Sequence, residues 1–405
     1  MTLITNARIL TLDERLGQGP LGLIERGWIR FKHGRVEEVH AGDPPGSADL
    51  NANRRVLMPA FTDCHTHACW AGDRTDEWAA RLAGASYIDL LKAGGGIMST
   101  VRAVREASQQ QLAELLLERL HAMLAHGTAV VEVKSGYGLR TADELKMLRA
   151  IADAGDRFPG TVVATACIGH ALDPDIPRDR FIRTTIDETL PAVSAEFPGI
   201  AIDAYAEPAA WHLEECLELF EAAQRNGHPC RVHADQFTSF GMVEAALDRG
   251  FLSVDHLEAS SPALLQRVAK SQTHAVVLPC SGFHLSVKEE DRRYADARTL
   301  LDHGANLCIA TNLNPGSAPC PSIPMAIALA CRFNGPPTNA PVTPEEAILA
   351  TTRTPARMLG LERRGTLAPG ARADAILLHH QSERELAHTF GSNPVARVWV
   401  GGVER

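Results

Sequence analysis

The stretch FTDCHTHACWAGDR places His65 and His67 two residues apart. In an extended strand such residues point the same way. Two imidazoles on one face of a strand end can share a metal ion, and zinc and other transition ions favour such nitrogen ligands. An H-x-H pair alone is weak evidence, since two packed or exposed histidines read the same. Cys64 points the other way along the strand and Cys69 lies beyond it, which argues against a Cys/His zinc knuckle. More informative are histidines at the ends of later apolar runs: His170 in TACIGH, His233 in CRVHADQ and His256 in LSVDHLE. Each alone is an ordinary polar residue. Their shared placement, strand after strand, is not ordinary. A metal held by three His with an open position generates hydroxide near neutral pH and polarises a carbonyl. A carboxylate at the end of the last strand would take the proton of water and pass it to a leaving nitrogen. The last run, NLCIAT, leads into ATNLNPGSAP, where position 312 is an amide, Asn312.

Other groups suit a small anionic substrate. Arg74 in AGDR can fork onto a carboxylate. Tyr87 and Tyr137, two of only four tyrosines, stand in site-like loops, although a packed ring with an exposed tip explains a tyrosine equally well. KAGGGIMST, Lys92 to Thr100, is read either as an anion cradle or as a mobile loop over the site. Lys134 ends a strand. A carbamylated, metal-bridging lysine is conceivable there but ranks below a structural or surface one.

These residues need elements to gather them. The runs AVVEV, TVVATACI, IAIDAYAE, CRVHAD, LSVDHLE, AVVLP and NLCIAT alternate with amphipathic stretches such as ADELKMLRAIADAG and LEECLELFEAAQRNG. Repeated strand–helix units with about eight strands predict a (β/α)8 barrel, whose C-terminal strand ends converge on one axis. A doubly wound sheet is the alternative, but no G-x-G-x-x-G follows an early strand. Both ends of the chain read as short strands and turns. GWIRFKHGRVEEVHAG predicts a hairpin about His-Gly, and GTLAPGARADAILLHH and PVARVWVGG resemble it in pattern. Neither end is long enough to bury a core alone. The expected division is residues 1–57 and 361–405 as two parts of one small β-sandwich, and 58–360 as the barrel.

Composition excludes several classes. A formal charge of −9 argues against nucleic acid or an anionic membrane as partner. Nine scattered cysteines with no C-x-x-C argue against a disulfide framework and fit a reducing cytoplasm. MTLITNARIL lacks a basic region followed by an apolar core, so no signal peptide is expected. No apolar run approaches a membrane span in length.

DCHTHACWAGDR, LKAGGGIMSTVRAVREAS, EVKSGYGL, HADQ, DHLE and NPGSAP together resemble the amidohydrolase superfamily and, within it, the imidazolonepropionases of histidine degradation. GTLAPGARAD resembles that superfamily's small β domain. The resemblance covers nearly the whole chain. It implies one zinc or iron ion held by His65, His67, His233 and the residue at 312. It implies hydrolysis of the cyclic amide of 4-imidazolone-5-propanoate to N-formimino-L-glutamate. Arg74, Tyr137, His170 and Gln236 would contact substrate, Asn314, Gly316 and Ser317 would line the pocket, and Tyr87 would lie on a substrate-side loop. His256 would act beside the metal. A cytoplasmic homodimer is also implied.

The chain departs from the family pattern at one ligand: Ala-Thr-Asp becomes Ala310-Thr311-Asn312. The amide keeps the shape of the carboxylate but cannot take a proton, so impaired hydrolysis is expected. The intact substrate-side motifs favour an Asp→Asn replacement in an active enzyme over a natural homologue with altered or lost activity. Two rival readings are a related amidohydrolase acting on a hydantoin- or thiohydantoin-propionate or as a deaminase, and a catalytically silent ligand-binding homologue.

Overall fold

A computed structural model describes residues 1–84, 95–286, 293–335 and 341–405. Tyr87 and the first three residues of the Lys92–Thr100 glycine loop lie outside them.

Two sheets organise the chain. The barrel sheet is parallel throughout and runs in sequence order: β6 (Phe61–Asp63), β7 (Thr128–Lys134), β8 (Thr161–Gly169), β9 (Ala201–Ala206), β10 (Arg231–Ala234), β11 (Ser253–His256), β12 (His274–Val277) and β13 (Leu307–Ile309). Helices such as Thr141–Arg157 and Leu213–Arg225 connect consecutive strands. The ring closes just beyond the strands. Thr66 bridges Leu313 in parallel register, His67 N donates to Leu313 O at 2.9 Å, and Asn312 N donates to His65 O at 3.0 Å. The chain is therefore a (β/α)8 barrel, and its seam runs through the histidine pair.

Alternation along the strands sorts their side chains. Val131 and Val133 of β7, Ile202 and Ala204 of β9, Val232 of β10 and Val254 of β11 enter the large apolar core under the helices. The intervening residues take the opposite face by the period of two. They are Glu132, Lys134, Asp203, Arg231, His233 and Asp255, all buried. Cys64, Val276, Leu278, Cys308, Ala310 and Met358 form a separate apolar cluster. Polar groups thus concentrate on β7 and β9–β11.

The second sheet takes strands from both termini, in the order β16 (Val403–Glu404), β15 (Val395–Val400), β14 (Ala375–Leu378), β5 (Val56–Pro59), β1 (Thr2–Leu10), β2 (Leu23–Lys32), β3 (Arg35–Ala41), with β4 (Leu50–Asn51) beside β1. The β2–β3 hairpin turns at His33 and Gly34, both at positive φ, as a two-residue turn of this hand requires. The sheet curls enough for Phe31 of β2 to meet Trp399 of β15 edge-on, with centroids 6.3 Å apart. Ala375 and Leu377 of β14 face this small core, while Ile376 and Leu378 join the barrel's. The passage from one sheet to the other falls between Pro59 and Phe61.

Trp399 fills the curl and is almost fully buried. Trp399→Ala is expected to cost about 3–5 kcal/mol, as large aromatic deletions in cores do. A urea midpoint unchanged from the parent would show that the curled sheet is not a packed core.

Candidate metal centre and substrate pocket

Strand geometry brings His65, His67 and His233 together. One ligand atom from each lies within 4.8 Å of the others, and all three side chains are buried. Two of the rings are oriented from behind. Asp255 Oδ2 lies 2.6 Å from His65 Nδ1, and Asp203 Oδ1 lies 3.0 Å from His233 Nδ1. With Nδ1 donating to a carboxylate, each Nε2 is left as a lone-pair donor aimed inward. His65 Nε2 has no hydrogen-bond partner among the described residues, and His67 Nε2 faces His233 Nε2 at 3.0 Å. Burial, reinforced by neighbouring cations and imidazoles, pulls His65 and His67 well below the usual imidazole range. Convergent ring nitrogens, with His65 and His67 kept neutral and His65 Nε2 unpartnered, are what a transition ion needs, so the donor set fits one.

The orienting carboxylates are themselves held. Lys134 Nζ lies 2.8 Å from Asp203 Oδ2, 2.9 Å from Glu132 Oε1 and 4.0 Å from Asp255 Oδ2. Arg231 reaches Asp255 at 2.9 Å and Glu132 at 3.1 Å. Burial and Arg231 work against the Lys134 charge, but the three carboxylates together hold its ammonium above the usual lysine range. Lys134 is thus a buried structural cation. A second group, Cys167, Asp203 and His233, is close enough to bind a metal but shares His233. Burial pushes the Cys167 thiol far up, and Asp203 is already engaged by Lys134 and His233.

Asn312 follows β13 at φ 55°, a left-handed conformation that Asn and Asp tolerate better than other side chains. Its Oδ1 is buried with no partner among the described residues. Asp63 fixes the approach to it by accepting from Thr311 Oγ1 at 2.5 Å and Thr311 N at 3.2 Å. Burial raises the Asp63 carboxyl to about 7. His256 breaks the inward–outward alternation of β11, and it too has positive φ, 89°. Its ring centroid lies 5.6 Å from that of His233, and its Nδ1 meets Glu258 Oε1 at 3.2 Å.

The residues expected to contact substrate sit on the same rim. His170 stacks on His67 with centroids 4.6 Å apart and a 15° tilt, and Tyr137 lies 5.3 Å from His170. Gly136 makes room for this. A Cβ there would stand 2.9 Å from both His170 Nδ1 and Cys167 O, and Gly136 O lies 2.9 Å from His170 Nδ1. Burial lowers His170 to about 4. Gln236 Oε1 accepts from Tyr205 Oη at 2.8 Å. Arg74 lies against Gly316, where a Cβ would be 3.0 Å from its Nη1. The Asn314 side chain is spent inside its own loop. Its Oδ1 accepts from Gly316 N and Ser317 N, and its Nδ2 donates to Asn312 O at 2.7 Å and Ser317 Oγ at 2.9 Å.

Known proteins resemble the chain over its length. The family profile described as Amidohydrolase family matches residues 56–405. An imidazolonepropionase of Hahella chejuensis is 39% identical over 98% of both chains. One from Deinococcus radiodurans is 39% identical over 95% of this chain and 94% of its own. The chain belongs to the imidazolonepropionase family of the amidohydrolases. Among solved structures, 5-methylcytosine deaminase from Klebsiella pneumoniae superposes with a TM-score of 0.76 at 15% identity, covering 100% of this chain and 97% of its own. Atrazine chlorohydrolase from Arthrobacter aurescens, complexed with zinc, gives 0.74 at 17%, covering 100% and 95%. Both share the fold.

Sequence reasoning missed several positioning groups of this imidazolonepropionase-family site. Glu132, Asp203 and Asp255 are acids at alternate positions in otherwise apolar runs, a signal that was available. Glu144 accepts from the backbone of Gly136, Gly138 and Leu139 and so shapes the Tyr137 loop. Glu207 does the same for Phe237 and Thr238, beside Gln236. Tyr205 joins the pocket, its ring 5.9 Å from His233.

Asp255→Ala removes the acceptor that fixes the His65 tautomer. Metal affinity in a chelator competition is expected to fall about 10–100-fold, and unchanged affinity would refute the orienting role. Acid sensitivity follows from His170. Its folded pKa lies below the unfolded value, so the unfolded chain binds more protons between the two and stability falls as pH drops. From pH 7 to 5, His170 alone is expected to cost metal-free protein about 2 kcal/mol. A urea midpoint flat over that range would contradict its buried neutral state.

Proposed function

We propose that this chain is built to hydrolyse the cyclic amide of 4-imidazolone-5-propanoate to N-formimino-L-glutamate, a step of histidine degradation. Family membership makes it a hydrolase acting on a carbon–nitrogen bond of a cyclic amide. The observation that carries the reading is the convergence of the His65, His67 and His233 ring nitrogens beside the unpartnered Asn312 Oδ1. One zinc or iron ion bound by these residues supplies a Lewis acid for the ring carbonyl and acidifies water.

The chain's own residues do the rest. Arg74 takes the propionate carboxylate, which sets the ring's orientation for attack. Tyr137, the His170 ring and Gln236 flank the ring, and the Gly316–Ser317 turn lines the pocket beside Arg74. Tyr87 is assigned to the substrate side on its motif alone. His256, when doubly protonated, keeps Nδ1–H on Glu258 and turns Nε2–H to the oxygen that gains charge. At 312 the amide Oδ1 can accept a hydrogen bond but cannot take a proton. Losing a positioned general base costs about 10²–10⁴ in rate. Losing a negative charge about 4 Å from a cation removes roughly 4 kcal/mol of attraction at an effective dielectric near 20. Hydrolysis by this chain is therefore slow. Nine free cysteines support a reducing cytoplasm, and the family resemblance supports a homodimer.

Asn312→Asp is expected to speed the loss of imidazolonepropanoate absorbance at least tenfold. A smaller gain sinks the base role at 312. Asn312 itself favours a second reading, a silent binding protein. Tight binding without turnover that persists in Asn312→Asp would select it.

A further inference from the structure

Arg74 is held by more than its place in the chain. It precedes the helix Thr75–Leu82, and its Nη2 donates to Glu77 Oε2 at 2.7 Å, three residues on. Both Glu77 oxygens also lie 3.2 Å from Gly96 N, the residue that opens the helix Ile97–Glu106. Arg74 Nη1 reaches Thr100 Oγ1 of that helix at 3.4 Å. Arg74 and Glu77 are both largely buried. One carboxylate therefore ties the guanidinium to two helices and presses it toward Gly316.

The donor count shows what this leaves. A guanidinium has five N–H donors. Glu77 and Thr100 use one each, and the buried Nε has no partner among the described residues. Three donors remain unused among the described residues, enough for a two-point contact with a second carboxylate. Glu77 is thus a clamp rather than a competitor. An arginine free to choose among rotamers would lose that freedom on binding, and a clamped one has already lost it.

We propose that Glu77 is a positioning residue for the carboxylate of the substrate, acting through Arg74 and fixing where a propionate-length tail ends. This rests on the reading of Arg74 as the tail's anchor. Calorimetry of the purified chain with imidazole-4-propionate and with its carboxamide separates the two ideas. These probes share ring and tail, differ in the carboxylate, and lack the cyclic ring amide that the reaction opens. If the parent chain binds acid and amide alike, the anchor reading fails whatever Glu77 does, and the inference falls with it. If the parent prefers the acid, Glu77→Ala is expected to lose at least tenfold in acid affinity while amide affinity stays within threefold, which also reports an intact pocket. Glu77→Gln keeps an acceptor for Arg74 and is expected to retain acid affinity within threefold. Acid affinity that is unchanged or tighter in Glu77→Ala overturns the proposal, as does an equal loss for both probes or a Gln variant as weak as the Ala one.

Discussion

The contact between the Lys134 ammonium and the carboxylates of Glu132 and Asp203 holds the rest of the site in place. Through Asp203 it governs the His233 ring. Through Arg231 and Asp255 the same network governs His65. Taking such charges out of water costs several kcal/mol each, and only tight mutual pairing offsets it. Three carboxylates against two cations leave one negative charge under the imidazoles. That residue of charge favours a cation above them, so a network that looks expensive for stability serves affinity.

The rim repeats one device. Several rim segments among the described residues are shaped by a carboxyl or amide side chain that accepts from one or more backbone N–H groups. Glu144 holds the Tyr137 loop, Glu207 the segment after Gln236, Asn314 its own turn, and Glu77 the start of a helix. Loops that would otherwise be mobile acquire a fixed form at the cost of burying an acid. Glu144 and Glu207 show that cost, since burial raises both carboxyls despite the hydrogen bonds they receive.

Much of this was legible in the chain before folding. The barrel was, because its strands are short apolar runs separated by amphipathic helices. So was the gathering of His65, His67, His170, His233 and His256, because strand ends in a barrel share an axis. The hairpin at His33-Gly34 was fixed by local turn chemistry. What could not be read was pairing across strands. Lys134 looked the same whether it faced solvent or three buried acids. The backbone turns at His256 and Asn312 leave no periodic mark, and Asn314 gave no sign that its amide is used up within its own loop. The curl that joins Phe31 to Trp399 depends on strands hundreds of residues apart, beyond the reach of any local pattern.

The seam of the barrel has a kinetic consequence. Asp63 and Thr311 are 248 residues apart in sequence, and their hydrogen bond sits beside the backbone bond from Asn312 to His65. Contacts of such separation carry the largest loop-closure cost and form late. The histidine pair and the residue at 312 come into register only when the first and last strands meet. No partly folded chain, and no nascent chain still lacking its last barrel strand, brings His65, His67 and position 312 together. An ion bound there would mark the end of folding and, by mass action, would draw the closed ring away from its open precursors.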